Sequence, residues 1–227
     1  MADKNILLVE GKDDLHVLCA LLERYQFPEV FEVQEKGGVD NLLETLPIEL
    51  KRSDLAALGI VVDADTDLTA RWSRLWSIIS RAGEAAVPNR PDANGTILAL
   101  RRPDRLVRIG VWLMPDNQLP GMLEHFIEFL VPEDDALWPR AVRSVEQIPH
   151  QQRRFHSTHE QKANVHTWLA WQEDPGTPLG QAIMKRYVIA QSPEARILMD
   201  WLRRLFVTGG RQDGSQGLQS LRSATQN

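Results

Sequence analysis

A short apolar segment that ends at a carboxylate most constrains how this chain can fold. Residues 6–9 are continuously apolar, which is typical of a strand that is buried on both faces of a sheet. Glu10 closes this run, and a glycine and a helical pattern follow. A second apolar run, residues 59–62, ends in the same way at Asp63 and Asp65. The sequence therefore predicts two buried strands that deliver acidic side chains to one edge of a sheet.

The alternation of apolar runs with amphipathic segments predicts the fold class. Strands are expected at residues 6–9, 30–34 and 57–62, and helices at residues 12–26, 39–50 and 69–82. Residues 96–100 and 106–113 predict two further strands, either as a hairpin or as an antiparallel edge on the sheet. Strands that alternate with helices predict an α/β fold with a mostly parallel central sheet flanked by helices.

The C-terminal part of the chain carries helical patterns and no strong strand pattern. Helices are predicted at residues 121–131, 134–148, 159–172, 182–190 and 193–207. We therefore expect an α/β domain over residues 1–131 and a helical extension over residues 132–208, packed on or beside it. Residues 209–227 are rich in Gly, Ser and Gln, which predicts a disordered tail.

Composition limits the classes of protein to which the chain can belong. The net charge of −5 argues against a generally basic coat for nucleic acid, although local basic patches remain possible. The single cysteine, Cys19, excludes a disulfide framework, and we expect it in the core on the apolar face of the first helix. No apolar run approaches the ~20 residues that span a bilayer, and no signal peptide is visible. A cytoplasmic protein without a membrane anchor is the expectation.

Glu10, Asp63 and Asp65 are the first candidate site residues. Functional residues of parallel α/β sheets gather beyond the carboxyl ends of the strands, where these acids are predicted to lie. In extended backbone, Asp63 and Asp65 would point the same way, since they are two residues apart. Carboxylates that converge repel one another and raise each other's pKa, and a bound cation relieves this repulsion. Oxygen ligands suit Mg²⁺ or Mn²⁺, which predicts phosphoryl-transfer chemistry on a phosphodiester.

Acids near strand ends also have a purely structural interpretation. Asp13 and Asp14 fall in the first turn of the first predicted helix, where they can cap it as readily as join a site. Asp67 directly precedes the third predicted helix, and this position favours N-terminal capping over metal binding. The capping and ligand interpretations remain open for these residues.

The two acidic motifs together resemble the Toprim domain. The segments are Val9 to Asp14 and Val61 to Asp65, and both lie on predicted strand ends. The resemblance covers roughly the first half of the chain. Topoisomerases, bacterial primases, small ribonucleases, recombination mediators and overcoming-lysogenization-defect (OLD) nucleases share this domain. The resemblance implies that Glu10 is a general acid/base or metal ligand, and that Asp63 and Asp65 bind metal, with Asp67 as an additional acid.

Two later segments resemble small stand-alone Toprim proteins related to the OLD-like group. Residues 113–117 and 121–124 carry the first likeness, which implies that Asp116 and Glu124 are additional metal-site residues and that either could complete a second metal position. Lys162, at the start of a predicted helix, carries the other likeness. The resemblance implies that Lys162 is a catalytic residue that stabilises charge on a transferring phosphate, while the sequence pattern equally fits a surface lysine.

These patterns support two hypotheses of function. The first is a Mg²⁺- or Mn²⁺-dependent phosphodiester hydrolase, similar to a nuclease, that acts on DNA or RNA. The second is a non-catalytic Toprim scaffold that binds nucleic acid or a partner ATPase in trans, because OLD-like nucleases carry an ATPase and this chain has no phosphate-binding loop of that kind. Two basic stretches, residues 101–108 and 153–159, are candidates for contacts with a phosphate backbone. The oligomeric state stays open.

Overall fold

The computed structural model describes residues 3–207, which form an α/β fold. Five strands are present: β1 (Lys4–Val9), β2 (Glu32–Glu35), β3 (Leu55–Asp63), β4 (Thr96–Arg101) and β5 (Leu106–Met114). Eight α-helices accompany them in this part of the chain: α1 (Lys12–Arg24), α2 (Val39–Glu49), α3 (Leu68–Ile79), α4 (Leu123–Leu130), α5 (Trp138–Glu146), α6 (Glu160–Leu169), α7 (Leu179–Met184) and α8 (Pro193–Phe206). The predicted fold class is confirmed.

The strands form one mostly parallel sheet in the order β2-β1-β3-β5-β4. β1 pairs in parallel with both β2 and β3, and β3 pairs in parallel with β5. β4 is the exception, because it joins β5 through a hairpin and lies antiparallel at the edge. The antiparallel edge strand expected from residues 96–113 is therefore present. The order places the carboxyl ends of β1 and β3 side by side.

Helices cover both faces of the sheet. α2 and α3 pack on one face, where Ile6, Leu8 and Ile60 share a core with Leu46 and Leu75. The remaining helices pack on the other face, where the alternate strand residues point. The helices after β5 thus share one continuous core with the sheet and with α1.

Two glycines allow α8 to approach the sheet closely. Gly59 of β3 and Gly110 of β5 are paired in register, and both face α8. A Cβ atom on Gly110 would lie only 2.4 Å from Cδ2 of Leu205, and one on Gly59 would lie 3.1 Å from the same atom. Any larger residue here would push α8 outward.

Several sequence expectations need correction or lie outside the described residues. Cys19 is exposed, because α1 buries Asp14, Val17, Leu18 and Leu21 on a stripe that does not include it. α5 begins four residues later than expected, and the Asp135 carboxylate accepts hydrogen bonds from the backbone N–H groups of Leu137 and Trp138 at its start. The tail over residues 209–227 lies outside the described part of the chain. None of the helices within residues 3–207 has the length and apolar character needed to cross a membrane.

Candidate active site

Glu10 and Asp63 lie together at the carboxyl edge of the sheet. Glu10 directly follows β1, and Asp63 is the last residue of the neighbouring strand β3. The Glu10 carboxylate accepts a hydrogen bond from the backbone N–H of Asp63, with an N–O distance of 3.3 Å. The strand order thus brings together two acids that are 53 positions apart in the sequence.

Two helices begin at the same edge and add two more carboxylates. Asp14 lies in the first turn of α1 and accepts a hydrogen bond from the Gly11 N–H at 3.1 Å. Asp63 accepts a hydrogen bond from the Leu123 N–H at 2.9 Å, which ties β3 to the first residue of α4. Glu124 follows and is only 2% exposed. We refer to Glu10, Asp14, Asp63 and Glu124 as the acidic cluster. Helix N-termini favour negative charge, so α1 and α4 offset part of its repulsion.

Burial and mutual repulsion raise the pKa values of three members of the cluster. For Asp14, burial is the main cause and the Glu10 charge the second, and together they raise its pKa from 3.8 to about 7. Burial and then the neighbouring carboxylates, led by Asp14 and Glu10, raise the pKa of Asp63 well above its usual value. Burial also raises the pKa of Glu10, although its bond from Asp63 opposes the rise. The charged form of the cluster is therefore costly without a compensating cation.

Lys162 supplies a positive charge at the rim of the cluster. Its Nζ lies 3.0 Å from Glu124 Oε1, and its side chain remains 47% exposed. Burial lowers the Lys162 pKa, but the hydrogen bond and the charge of Glu124 outweigh burial and raise it. α6 packs against α4 and so brings this lysine to the site. Lys162 and Glu124, both candidates from sequence, thus come together with Glu10 and Asp63.

Asp65 does not have the extended conformation that its spacing from Asp63 suggested. β3 ends at Asp63, and Asp65 has a φ of +54°, in the left-handed region. Its backbone N–H donates to the Gly121 carbonyl oxygen at 2.8 Å, and its exposed carboxylate forms an ion pair with Arg71. The extended backbone assumed from Asp63 to Asp65 is therefore absent, because the chain turns between them. Asp65 still raises the pKa of Glu10 and Asp63 through its charge.

Two other candidate acids make local bonds outside the cluster. Asp67 caps α3, since its Oδ1 accepts from the Ala70 N–H at 2.9 Å. Asp116 accepts hydrogen bonds from the N–H groups of Gln118 and Leu119 at 2.9 and 2.8 Å, which shapes the loop after β5. For Asp67 the capping interpretation describes its bonding in full.

The chemistry of the cluster fits an oxygen-ligated cation. Its side-chain donors are all carboxylate oxygens, and the buried Oδ1 atom of Asp14 has no hydrogen-bond partner. Within residues 3–207, however, no three His, Cys, Asp or Glu side chains form a ready-made metal site. The acids lie close enough to perturb each other's pKa, but hydrogen bonds from backbone N–H groups hold three of them, Glu10, Asp14 and Asp63. The side chains would have to change conformation before three of them could share an ion.

An open cleft of about 730 Å³ adjoins the cluster. One wall contains Asp65, residues 120–122 and His125, and the other contains residues 157–161 and Asn164. His125 accepts a hydrogen bond from the Met122 N–H at 3.2 Å, and burial lowers its pKa, which favours the neutral imidazole. None of the four cluster residues lines this cleft, and Asp65 is the acid that connects the two, because it lines the cleft and its charge acts on Glu10 and Asp63.

Asp14 is the site residue that sequence reasoning left undecided. It was weighed as a helix cap, and the structure gives it both roles: it bonds to Gly11 N–H and is a buried member of the cluster. Its position four residues after Glu10, in the first turn of a helix that starts at the same sheet edge, is the signal that could have found it. Asp13, next to it, is exposed.

The comparisons with known proteins identify a family but no characterised relative. Neither the curated proteins nor the solved structures include a significant match to this chain. One family model, described as "Protein of unknown function (DUF3226)", matches residues 4–207. Because this match covers most of the sequence, the chain belongs to the DUF3226 family.

Proposed function

We propose that this chain is a metal-dependent phosphodiester hydrolase, similar to a nuclease, that acts on nucleic acid at the acidic cluster. The observation that carries the proposal is the convergence of four carboxylates between two strand ends and two helix N-termini, with the pKa of three of them raised. An arrangement with such repulsion destabilises the folded protein, so a role for its charge is the best explanation.

Glu10, Asp14, Asp63 and Glu124 would hold the ion, with Asp65 close enough to contribute through its charge. Mg²⁺ or Mn²⁺, when bound, polarises a phosphoryl oxygen and lowers the pKa of a bound water. The carboxylates would offset the charge of the cation and hold it at the sheet edge. Glu10 is in addition suited to accept or donate a proton, because its raised pKa lies nearer neutrality than that of a free carboxylate.

Lys162 would stabilise negative charge on the phosphate. Its ammonium group is paired with Glu124 yet remains partly exposed, and its neighbours Gln161 and Asn164 on α6 line the adjoining cleft. A preorganised cation acts most strongly where charge develops during the reaction. In the proposed role, Lys162 therefore contacts the phosphate while Glu124 positions its amine.

Toprim-like ancestry is part of the same proposal. Its support is the position of the motif residues, with Glu10 after the first strand and Asp63 at the end of the third. The weaker members of the predicted set are Asp67 and Asp116, because their carboxylates are engaged in local turns. We assign them no role in holding the ion.

A cleavage assay with matched variants tests the proposal. Labelled single- and double-stranded DNA and RNA are incubated with the chain and Mg²⁺ or Mn²⁺, and products are resolved on denaturing gels. Glu10→Gln and Asp63→Asn should abolish cleavage while circular dichroism stays unchanged. Asp13→Asn, an exposed acid in the first turn of α1, should cleave like the wild type. Equal activity in all four proteins would refute the proposed site.

The alternative function is a non-catalytic scaffold that binds nucleic acid or an ATPase in trans. The absence of a ready-made metal site among the described residues favours it, as does the ion pair that already partners Glu124. Calorimetry with Mg²⁺ and Mn²⁺ separates the two functions. Binding that is lost in Asp63→Asn supports the enzyme, and no binding at millimolar concentrations supports the scaffold.

A further inference from the structure

A groove of about 480 Å³ lies on the C-terminal helices and shares no residue with the acidic cluster or its adjoining cleft. The exposed face of α5 forms one side, and Trp171 forms the other. The side chains that line it are Leu137, Arg140, Arg143, Ser144, Gln147 and Trp171. We call this feature the α5 groove.

Trp171 is unusual among the seven tryptophans of the chain. Its exposure is 41%, whereas five of the others are no more than 5% exposed and Trp138 is half-buried. It follows the end of α6, where its backbone N–H donates to the Trp168 carbonyl oxygen at 3.1 Å. A large aromatic ring is thus held at the surface rather than in the core.

Arg140 and Arg143 place two positive charges beside this ring. They lie three residues apart on the exposed face of α5, while Ala141 and Val145 face the core. Within residues 3–207, neither guanidinium forms an ion pair or a side-chain hydrogen bond. Both cations are therefore available to an anionic ligand, on a protein whose net charge is −5.

We propose that the α5 groove binds an unpaired stretch of a nucleic-acid strand. One base stacks on Trp171, Arg140 and Arg143 contact the phosphates, and Gln147 and Ser144 supply polar contacts. A single strand fits because its bases expose their faces, whereas the bases of a duplex are already stacked on each other. The proposal rests on the proposed function for the class of substrate, and it specifies which form of that substrate binds and where.

The position of the groove allows it to present a strand to the acidic cluster. Lys162 lies in the first turn of α6, and Trp171 lies two residues past its last residue, Leu169; the seven steps from Lys162 to Leu169 correspond to about 11 Å along the helix axis. A stacked strand advances about 3.4 Å per nucleotide. A bound segment of only a few nucleotides therefore has the length to reach from one end of α6 to the other.

Fluorescence anisotropy in the presence of EDTA tests the groove without cleavage. The probes are labelled twelve-nucleotide single strands of DNA and RNA, and a duplex of the same sequence. Trp171→Ala should weaken single-strand binding at least fivefold, and Trp171→Phe should recover much of the loss, because stacking on one base contributes in this range. The double variant Arg140→Ala, Arg143→Ala should weaken binding and make the log–log salt dependence shallower by about 1.4, as expected for two lost phosphate contacts.

Two substitutions on the opposite face of the sheet serve as controls. Ile48→Ala removes an apolar side chain that is 69% exposed on α2, and Arg81→Ala removes an exposed arginine after α3. Both should bind single strands like the wild type. An equal loss in these controls would overturn the groove, since it would indicate a nonspecific effect of surface charge or area.

The outcomes separate this inference from the proposed function. If the wild type cleaves nucleic acid and the Trp171 and arginine variants bind single strands as tightly as the wild type, the groove inference is overturned and the proposed function stands. Specific single-strand binding without cleavage supports the groove and overturns the proposed enzyme. A third outcome is that the wild type binds no nucleic acid but binds an acidic peptide such as polyglutamate, and that all groove variants lose this binding. That result overturns the inference and assigns the groove to a protein partner.

Discussion

Asp14 should make the metal-free protein less stable as the pH rises, and Asp14→Asn should remove this effect. The native pKa of about 7 lies above the ordinary value of 3.8, so the folded protein holds a proton that the unfolded chain releases between these values. The stability that depends on this proton is fully present below about pH 4 and is lost as the pH rises through 7. The difference in pKa corresponds to about 4 kcal/mol of unfolding free energy.

Asparagine retains the shape and an oxygen acceptor for the Gly11 N–H, and its amide can donate to neighbouring carboxylates. The advantage of Asp14→Asn over the wild type should therefore grow by about 3 kcal/mol between pH 5 and pH 8. The measurement is urea unfolding followed by tryptophan fluorescence, with EDTA present at both pH values.

Asp13→Asn is the matched control, because Asp13 lies in the same turn of α1 but is exposed. Its effect on unfolding free energy should be small, because its side chain is exposed. If Asp14→Asn shifted stability equally at pH 5 and pH 8, or destabilised the protein more at pH 8, the electrostatic account of the acidic cluster would be wrong.

Three further predictions follow from particular contacts. Gly110→Ala should destabilise the fold by about 1–3 kcal/mol in thermal unfolding, because its Cβ would collide with Leu205. The same substitution should cost less when it is made in a Leu205→Ala background, where the colliding side chain is absent. Lys162→Met should destabilise the protein by about 1–2 kcal/mol in urea unfolding, because it leaves the buried Glu124 carboxylate unpaired, and the same change in a Glu124→Gln background should cost less. Mg²⁺ at a hundred times its dissociation constant should stabilise the wild type by about 2.7 kcal/mol in calorimetric unfolding, and Asp63→Asn should show no such gain.

Local patterns in the sequence were sufficient to predict the strands, most helices and the two strand-end acids. Continuous apolar runs are buried strands because both faces of a parallel sheet are covered, and parallel strands joined by short helical crossovers place their carboxyl ends together. The proximity of Glu10 and Asp63 could therefore be predicted from local sequence patterns, each only a few residues long. The antiparallel β4 edge followed equally from the short turn-rich segment between two β-like runs.

Features that depend on packing between distant elements required the tertiary structure. The left-handed Asp65 follows from a backbone bond to Gly121, which no local spacing encodes. The exposure of Cys19 depends on which stripe of α1 faces its neighbours, and the membership of Asp14 in the cluster depends on how far that stripe extends toward the sheet edge. The sequence alone identified the acids. The packing of α1, α4 and α6 on one face of the sheet decided which of these carboxylates repel one another and placed Lys162 beside Glu124. The physical reason is that electrostatic coupling depends on distance in space rather than on distance along the chain.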